Sequence, residues 1–226
     1  MQQPAINRIK GTALFLGLFF IFTTLTATLI YSKGNEMSFL WLNQAELHDK
    51  TNDFLFKYIT HIGDGFFAVA ISLMFLLIPR TQRLGLVSLI AYALSGLLAQ
   101  LIKRTVVAPR PAAIFTNDTY SFFVDGIHNA TQHSFPSGHT TTIFAMCCVL
   151  ACFSRHKWLQ VNFLLLAIIV GYSRIYLGQH FPADVLGGAF LGTFMGLLTV
   201  YFSDKIGYKK PISIFGRTKH LQQNQL

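Results

Sequence analysis

The sequence predicts an all-α integral-membrane bundle of six transmembrane helices with an outward-facing polar cap. Only 12% of the 226 residues are charged and the mean hydropathy is +0.47, whereas soluble domains carry about 25% charged residues. Lys and Arg also recur in alternate connections between apolar runs, as they do in membrane proteins. Six apolar runs approach the roughly 20 residues that a span needs, and the expected spans are about 12–31, 60–79, 84–102, 138–154, 158–173 and 184–203.

The positions of the basic residues orient this bundle. Eleven of the 18 Lys and Arg fall at the N-terminus, in the second and fourth connections, and in the tail 204–226. Because cytoplasmic loops carry the positive excess, both termini and this basic tail are expected in the cytoplasm. The other connections then face outward, toward the periplasm if the membrane is a bacterial inner membrane. The net charge of +9 is therefore mainly an orientation signal, and no nucleic-acid partner is expected.

The first span and the connection that follows it are predicted to be helical. Residues 12–31 show no convincing small-residue cleavage site, so we expect an uncleaved span. In the connection 32–60, Phe54, Leu55 and Tyr58 recur at helical spacing. This spacing predicts either a short amphipathic helix on the membrane surface or an extension of the second span.

The outer loop 103–138 is expected to form the polar cap. Its prolines, Pro109, Pro111 and Pro136, interrupt helices. Non-helical backbone near a membrane must be solvated or buried within the protein, so a folded cap is the expected outcome.

The end of this loop predicts a helix start. Ser137, Gly138 and His139 stand immediately before the apolar run 140–153. The first turn of a helix offers unpaired N–H groups and a positive dipole end, which together attract anions. The pattern therefore predicts an anion site here.

The last span also begins with a polar pattern. Pro182 suits the first helical position, because its missing N–H costs nothing there. His180 should then lie just before the helix and Asp184 in its opening turn, close enough to bond.

Three cations lie at or near the ends of apolar segments, where an unpaired charge is costly and usually has a partner or a task. They are Lys103, Arg110 and Arg174. Arginine binds phosphate with a planar fork and lysine with a point charge. A phosphate monoester, with a charge of about −1.5 to −2, would balance this set.

The reactive groups complete the prediction. An imidazole oriented by a carboxylate is the pair expected of an activated nucleophile, so His180 is predicted to attack phosphorus with Asp184 as its partner. His139 would protonate the leaving oxygen and later deprotonate water. The reaction would be a two-step, in-line phosphoryl transfer through phospho-His180, assisted by the cations.

A metal site is the chemical alternative, because several possible ligands face outward: His128, His133, His139, His180, Asp118, Asp125 and Asp184. Metallophosphatases usually need several carboxylates around two ions. Three cations directed at the same place would repel a divalent metal, so no metal and no other cofactor is expected.

Three motifs resemble the signature of the type 2 phosphatidic acid phosphatase family, which is related to vanadium haloperoxidases. They are Lys103-Arg-Thr-Val-Val-Ala-Pro-Arg110-Pro111, Pro136-Ser-Gly-His139 and Ser173-Arg174-Ile-Tyr-Leu-Gly-Gln-His180-Phe-Pro-Ala-Asp184. The resemblance implies a metal-independent membrane lipid phosphatase with His180 as nucleophile, Asp184 as its partner and His139 as proton donor. It also implies that phosphate is bound by Lys103, Arg110, Ser137, Gly138 and Arg174.

The expected function is hydrolysis of a lipid phosphate or diphosphate. Candidate substrates are undecaprenyl diphosphate, phosphatidylglycerol phosphate, phosphatidic acid and a lipid A phosphate. Two alternatives stay open: a lipid phosphotransferase that uses the same intermediate, and a transporter that carries an anionic lipid without chemistry. Fold analogy does not choose among them.

Overall fold

The computed structural model describes residues 4–116 and 119–205, and every regular element within these ranges is helical. The helices are Ala5–Gly11 (α1), Ala13–Lys33 (α2), Asn35–Leu42 (α3), Lys50–Ile59 (α4), Gly65–Leu77 (α5), Gln82–Thr105 (α6), Pro111–Ile114 (α7), Gly138–Phe153 (α8), Lys157–Tyr176 (α9) and Pro182–Phe202 (α10), with short 3₁₀ turns at Ala45–Leu47 and Thr60–Gly63.

Helix α8 lies at the centre of the bundle. It packs against α6, α9 and α10, and its residues are buried almost without interruption from Thr140 to Cys152. A helix that is apolar on all sides belongs in the interior. The three cysteines in this helix are buried free thiols that pack in the core.

Glycines bring α10 unusually close to α8. A Cβ atom added at Gly188 would lie 2.7 Å from the carbonyl oxygen of Ser137, and one added at Gly196 would lie 3.0 Å from that of Ala145. Gly192, midway between them, faces the backbone of α8 in the same way. Small residues at four-residue spacing allow two helix backbones to touch. This contact fixes the start of α10 beside the start of α8.

The membrane prediction is confirmed at the level of apolar helices. Four helices, α2, α6, α9 and α10, are long and apolar enough to span a bilayer. Residues Lys50–Gly63 and Gly65–Leu77 form a pair bent by 55°, which makes a fifth span if the pair crosses as one unit. Helix α8 has 16 residues, fewer than a standard span. The count of six therefore stays a prediction.

The bend also bears on the connection 32–60. Helix α4 ends at Ile59, the chain makes a 3₁₀ turn, and α5 begins at Gly65 in a new direction. Phe54 and Tyr58 expose 64% and 59% of their surface. Helix α4 is thus a separate, apolar-faced helix and not a straight extension of the second span.

The outer loop is less polar than the predicted cap. Its interior is an aromatic cluster in which Phe39 of α3 packs against Phe115, Tyr120 and Phe181, with ring centroids 5.2 to 5.5 Å apart. Aromatic burial of this kind supplies a local core. The loop therefore packs around an apolar centre that it shares with α3 and Phe181, and Pro111 stands at the first turn of α7.

One end of the bundle, which we call the inner end after its predicted orientation, joins the two ends of the described chain. The carboxylate of Asp204 accepts a hydrogen bond from the Ala5 N–H at 2.7 Å and pairs with Arg83, which also bonds Ser203. Arg8 stacks over the ring of Phe153, 4.0 Å from its centroid. The basic tail beyond residue 205 lies outside the described residues.

Candidate active site

The three motifs meet at one end of the bundle, the end that is predicted to face outward. They occupy the end of α6, the start of α8, the end of α9 and the start of α10. The Ser137 N–H donates to the Asp184 carbonyl at 3.0 Å, and the His180 N–H donates to the Arg174 carbonyl at 3.1 Å. These backbone bonds connect the start of α8, the end of α9 and the start of α10. The end of α6 is connected to them through the outer loop.

The start of α8 is where the sequence predicts it. Ser137 is the N-cap residue, and its Oγ accepts hydrogen bonds from the Thr140 hydroxyl at 2.8 Å and the Thr140 N–H at 3.5 Å. A Cβ atom built on Gly138 would meet no atom within 4 Å. The space in front of the first turn is therefore open to a ligand.

The N–H groups around the start of α8 are not all available to an anion. The N–H of Ser137 is already bonded to the Asp184 carbonyl, so it cannot serve an anion. The N–H groups of the first turn, which begins at Gly138, have no carbonyl partner within the helix. The hydroxyl proton of Ser137 also remains available, because that oxygen acts as the acceptor in both bonds with Thr140.

The outer loop holds two of the cations through neutral backbone oxygens. Lys103 Nζ donates to the His133 carbonyl at 2.7 Å. Arg110 Nε donates to the Gln132 carbonyl at 3.0 Å, and its Nη1 donates to the Gln179 carbonyl at 3.3 Å. Carbonyl acceptors position a cation without cancelling its charge.

The third cation is the most buried. Arg174 exposes 8% of its surface, and its Nη1 donates to the hydroxyl of Thr60 at 2.6 Å. Its Nε is buried and has no hydrogen-bond partner among the described residues. Buried donors are rarely left unsatisfied, so this N–H is available to an oxygen from outside the described residues.

None of these three cations forms an ion pair with a carboxylate within residues 4–116 and 119–205. The carboxylate contacts found there are the ion pair of Arg83 with Asp204 and the contacts of two histidines, His48 with Asp53 and His180 with Asp184, which are ion pairs only if the histidine is protonated. The cluster therefore carries an excess of positive charge at a buried site, which is the requirement for binding an anion.

His180 is buried beside the cations. It exposes 2% of its surface. Its pKa is well below the usual range because burial disfavours the charged ring, and the positive charges of Arg174, Arg110 and Lys103 lower it further. The imidazole is therefore neutral at pH 7, which is the form that carries a nucleophilic lone pair.

The contact between His180 and Asp184 is not the direct hydrogen bond that the sequence predicts. Nδ1 lies 3.6 Å from Asp184 Oδ2, whereas it lies 3.3 Å from the hydroxyl of Ser134. Ser134 in turn donates to Asp184 Oδ2 at 2.6 Å. The same carboxylate oxygen accepts the Phe181 N–H at 2.8 Å. A serine thus stands between the two residues.

His139 lies in the first turn of α8 and makes no hydrogen bond with any residue the structure describes. The 3₁₀ turn after α4 packs against it closely: a Cβ atom on Gly63 would lie 3.0 Å from the His139 Cβ and 2.8 Å from Val170. The 3₁₀ turn therefore packs against the backbone and Cβ of His139.

Sequence reasoning missed Ser134, Thr60 and Gly63. Ser134 stands two residues before the second motif, so its position gave a signal, but its partners are 46 and 50 residues away. Thr60 is 114 residues from Arg174. Nothing local in the sequence marks such a contact.

The alternative metal ligands are not brought together. No three His, Cys, Asp or Glu residues of the described ranges are close enough to hold a metal ion. His133 Nδ1 bonds the Lys103 carbonyl at 2.9 Å and His128 is exposed. Asp118 lies outside the described residues.

A family comparison agrees with this arrangement. The family model described as "PAP2 superfamily" matches residues 84–208, which is more than half of the chain. The chain belongs to the PAP2 superfamily. The resemblance drawn from the three motifs is therefore confirmed, and the apolar helices of this member make it an integral membrane protein.

Several relatives of the chain are phosphatases by name. An undecaprenyl-diphosphatase of Sulfolobus acidocaldarius is 28% identical over 156 residues, 69% of this chain and 73% of that protein. Phosphatidylglycerophosphatase B of Bacillus subtilis is 31% identical over 178 residues, 74% of this chain and 77% of that protein. The crystal structure of Aquifex aeolicus LpxE matches with a TM-score of 0.62 and 27% identity, over 74% of this chain and 94% of LpxE.

Proposed function

We propose that this chain is a lipid phosphatase that hydrolyses a lipid phosphate monoester or diphosphate through a phospho-His180 intermediate. The observation that carries the proposal is the Arg174 Nε, a buried donor without a protein partner in the described ranges. It stands in a cluster of cations that no carboxylate neutralises there. A phosphoryl group satisfies both the free N–H and the charge.

Binding comes first in this mechanism. The guanidinium groups of Arg110 and Arg174 and the ammonium of Lys103 hold the phosphoryl oxygens. The first-turn N–H groups at Gly138 and the hydroxyl of Ser137 add fixed dipoles at the start of α8. These donors are held in place before the substrate arrives, so they can stabilise charge that develops in the transition state without reorganising.

The first chemical step transfers the phosphoryl group to the enzyme. The Nε2 lone pair of His180 attacks phosphorus and the bond from phosphorus to the lipid oxygen breaks. His139 donates a proton to that oxygen, which leaves as an alcohol or as a lipid phosphate. The imidazole of His180, now bonded to phosphorus, carries a positive charge.

Water completes the reaction in the second step. His139 has lost its proton and can now accept one from a water molecule, which attacks phosphorus as the bond to Nε2 breaks. Inorganic phosphate is released, and both histidines return to their starting states. Every proton in this cycle is carried by a residue of the chain, so the mechanism requires no metal and no other cofactor.

The proposed topology keeps the six spans and the outward site. Helix α8 is about 24 Å long at 1.5 Å per residue, shorter than the roughly 30 Å hydrocarbon core, but it is surrounded by other helices and does not face lipid. Residues 60–79, which include the 3₁₀ turn and α5, would provide another crossing, with α4 on the membrane surface. The distribution of Lys and Arg supports cytoplasmic termini.

Two substrate classes are favoured: a polyprenyl diphosphate such as undecaprenyl diphosphate, and a glycerophospholipid phosphate such as phosphatidylglycerol phosphate or phosphatidic acid. The named activities of the relatives above support both classes. A lipid A phosphate is the next candidate.

The test is phosphate release from a panel of these lipids by the purified full-length protein in detergent micelles. We expect hydrolysis of at least one lipid with excess EDTA present, and inhibition by vanadate, which mimics a five-coordinate phosphoryl group. His180→Ala should lower kcat by at least about 10³-fold, because it removes the nucleophile. The matched control is His128→Ala, an exposed loop histidine, which should retain activity.

Full activity in His180→Ala would exclude the phosphohistidine mechanism. Activity that EDTA removes and a divalent ion restores would establish the metal alternative instead. Transfer of phosphate to a second lipid with little free phosphate would indicate a phosphotransferase, and lipid binding without turnover would indicate a carrier.

A further inference from the structure

The hydroxyl of Ser134 lies between the two residues of the predicted nucleophile pair. Ser134 has no exposed surface, and its Oγ is 3.3 Å from His180 Nδ1 and 2.6 Å from Asp184 Oδ2. The imidazole nitrogen and the carboxylate are themselves 3.6 Å apart, which is beyond hydrogen-bond distance. The serine is therefore the residue through which the carboxylate reaches the ring.

The proton positions follow from the chemistry of the three groups. An ionised carboxylate only accepts hydrogen bonds, so the single hydroxyl proton of Ser134 must point to Asp184. The Ser134 oxygen then has only lone pairs to offer His180. Nδ1 must be the protonated nitrogen of the neutral ring, which leaves the lone pair on Nε2.

The backbone around Ser134 holds the hydroxyl in place. Its N–H donates to the Ala108 carbonyl at 3.0 Å. The preceding residue, His133, has a φ of 57°, in the left-handed region that is uncommon for residues other than glycine. The His133 side chain and carbonyl both bond Lys103. One turn of the loop therefore positions a phosphate-binding cation and the serine together.

We propose that Ser134 is a positioning residue that fixes the Nδ1-protonated tautomer of His180 and relays the charge of Asp184 to the ring. The inference rests on the proposed function, in which His180 is the nucleophile. When Nε2 forms its bond to phosphorus, the ring becomes cationic and keeps its Nδ1 proton. The hydrogen bonds from Nδ1 to Ser134 and from Ser134 to Asp184 then shorten and stabilise that charge, and no proton has to leave the ring.

The test compares Ser134→Ala with Ser134→Thr and Ser134→Gly, using the lipid that the wild-type protein hydrolyses best. Ser134→Ala should lower kcat about 10- to 100-fold, the loss expected for one hydrogen bond to a charged group. KM and inhibition by inorganic phosphate should change less than about threefold, because the cations that bind phosphate are untouched. Ser134→Thr keeps the hydroxyl and should recover activity, and Ser134→Gly leaves room for a water molecule and should exceed Ser134→Ala.

A second measurement reads the tautomer directly and does not depend on turnover. In ¹⁵N-histidine NMR spectra of the full-length protein, the His180 signals are assigned by their disappearance in His180→Ala. Wild-type His180 should show a protonated Nδ1 and an unprotonated Nε2. Ser134→Ala should show a mixture of tautomers, whereas the matched control Ser121→Ala, an exposed serine of the same loop, should match the wild type.

The outcomes separate the two proposals. Wild-type kcat and an unchanged tautomer in Ser134→Ala, with His180→Ala inactive, would overturn only the role of Ser134. A loss of kcat accompanied by an equal loss of phosphate affinity, which Ser134→Thr does not restore, would also overturn it, because it would mark a structural residue. Full activity in His180→Ala would overturn the proposed function and this inference with it.

Discussion

The two ends of the bundle differ in whether their arginines are paired with a carboxylate. At the inner end, Arg83 pairs with the carboxylate of Asp204, which also accepts the N–H of Ala5. At the outer end, Arg110 is held by backbone carbonyls and Arg174 by the hydroxyl of Thr60. The inner cation is neutralised by the protein, whereas the outer ones are positioned and left charged. This difference is what distinguishes a structural ion pair from a binding site.

The largest expected effect concerns the proton donor of the outer site. His139→Asn should lower kcat about 10²- to 10⁴-fold on a lipid phosphate, because the alkoxide must then leave without a proton. The loss should be much smaller with p-nitrophenyl phosphate, whose phenolate leaves readily. Both rates are measured by phosphate release, with His128→Asn as the control. An equal loss on both substrates would contradict the role of His139 as acid.

Next in size is the contrast between the two arginines. Arg174→Ala should lower kcat/KM about 10²- to 10³-fold, as expected when a preorganised donor to the phosphoryl group is lost. Arg83→Ala should leave kcat/KM within about twofold of wild type and lower the melting temperature instead. The test measures kcat/KM and the melting temperature of both variants under the same conditions. Similar losses of kcat/KM in both variants would contradict the distinction between the two ends of the bundle.

A smaller effect is expected at the residue that holds Arg174. Thr60→Val removes the hydroxyl that accepts from Nη1 and leaves that N–H buried without a partner, so kcat/KM should fall about tenfold. Thr26→Val is the matched control, since that hydroxyl bonds only its own helix at Phe22. Inhibition by inorganic phosphate should weaken in the first variant alone. An unchanged inhibition constant would show that Thr60 does not position the guanidinium.

The smallest effect belongs to the inner end. The pKa of Asp204 is lowered, chiefly by the hydrogen bond from the Ala5 N–H and then by Arg83. A carboxyl with a lowered pKa stabilises the fold above its unfolded value of about 3.9, and this contribution is lost as the pH falls through the folded-state pKa. Asp204→Asn should therefore lower the melting temperature by no more than about 2–4 °C at pH 7.

The melting difference between Asp204→Asn and the wild type should shrink as the pH falls below 4, while kcat/KM at neutral pH stays unchanged. A loss of turnover in Asp204→Asn would mean that the inner ion pair affects the active site.

The sequence predicted those parts of the site that depend on short separations. Pro182 at the first turn of α10, His180 before it and Asp184 within it are where the pattern predicts them. Each of these positions follows from helix-start chemistry that acts over four residues. The membrane class also followed from composition, because the exclusion of charge from apolar runs is a local property.

What the sequence could not predict depends on contacts across the fold. The hydroxyl of Ser134 reaches His180 only because the outer loop folds back over α10, and Thr60 meets Arg174 through the bend after α4. The predicted direct bond between His180 and Asp184 is wrong for the same reason, since i, i+4 spacing gives proximity but not the rotamer. The aromatic interior of the outer loop was also missed, because its rings are spread along 140 residues of chain.

The glycines of α10 have a consequence for how such a protein can change over time. At Gly188 the backbones of α8 and α10 touch with no side chain between them, so the relative placement of Gly138 and Asp184 does not depend on any replaceable packing residue. A side chain at Gly188 would push the start of α10 away from α8. This glycine therefore limits which substitutions α10 can accept while the reacting groups keep their register.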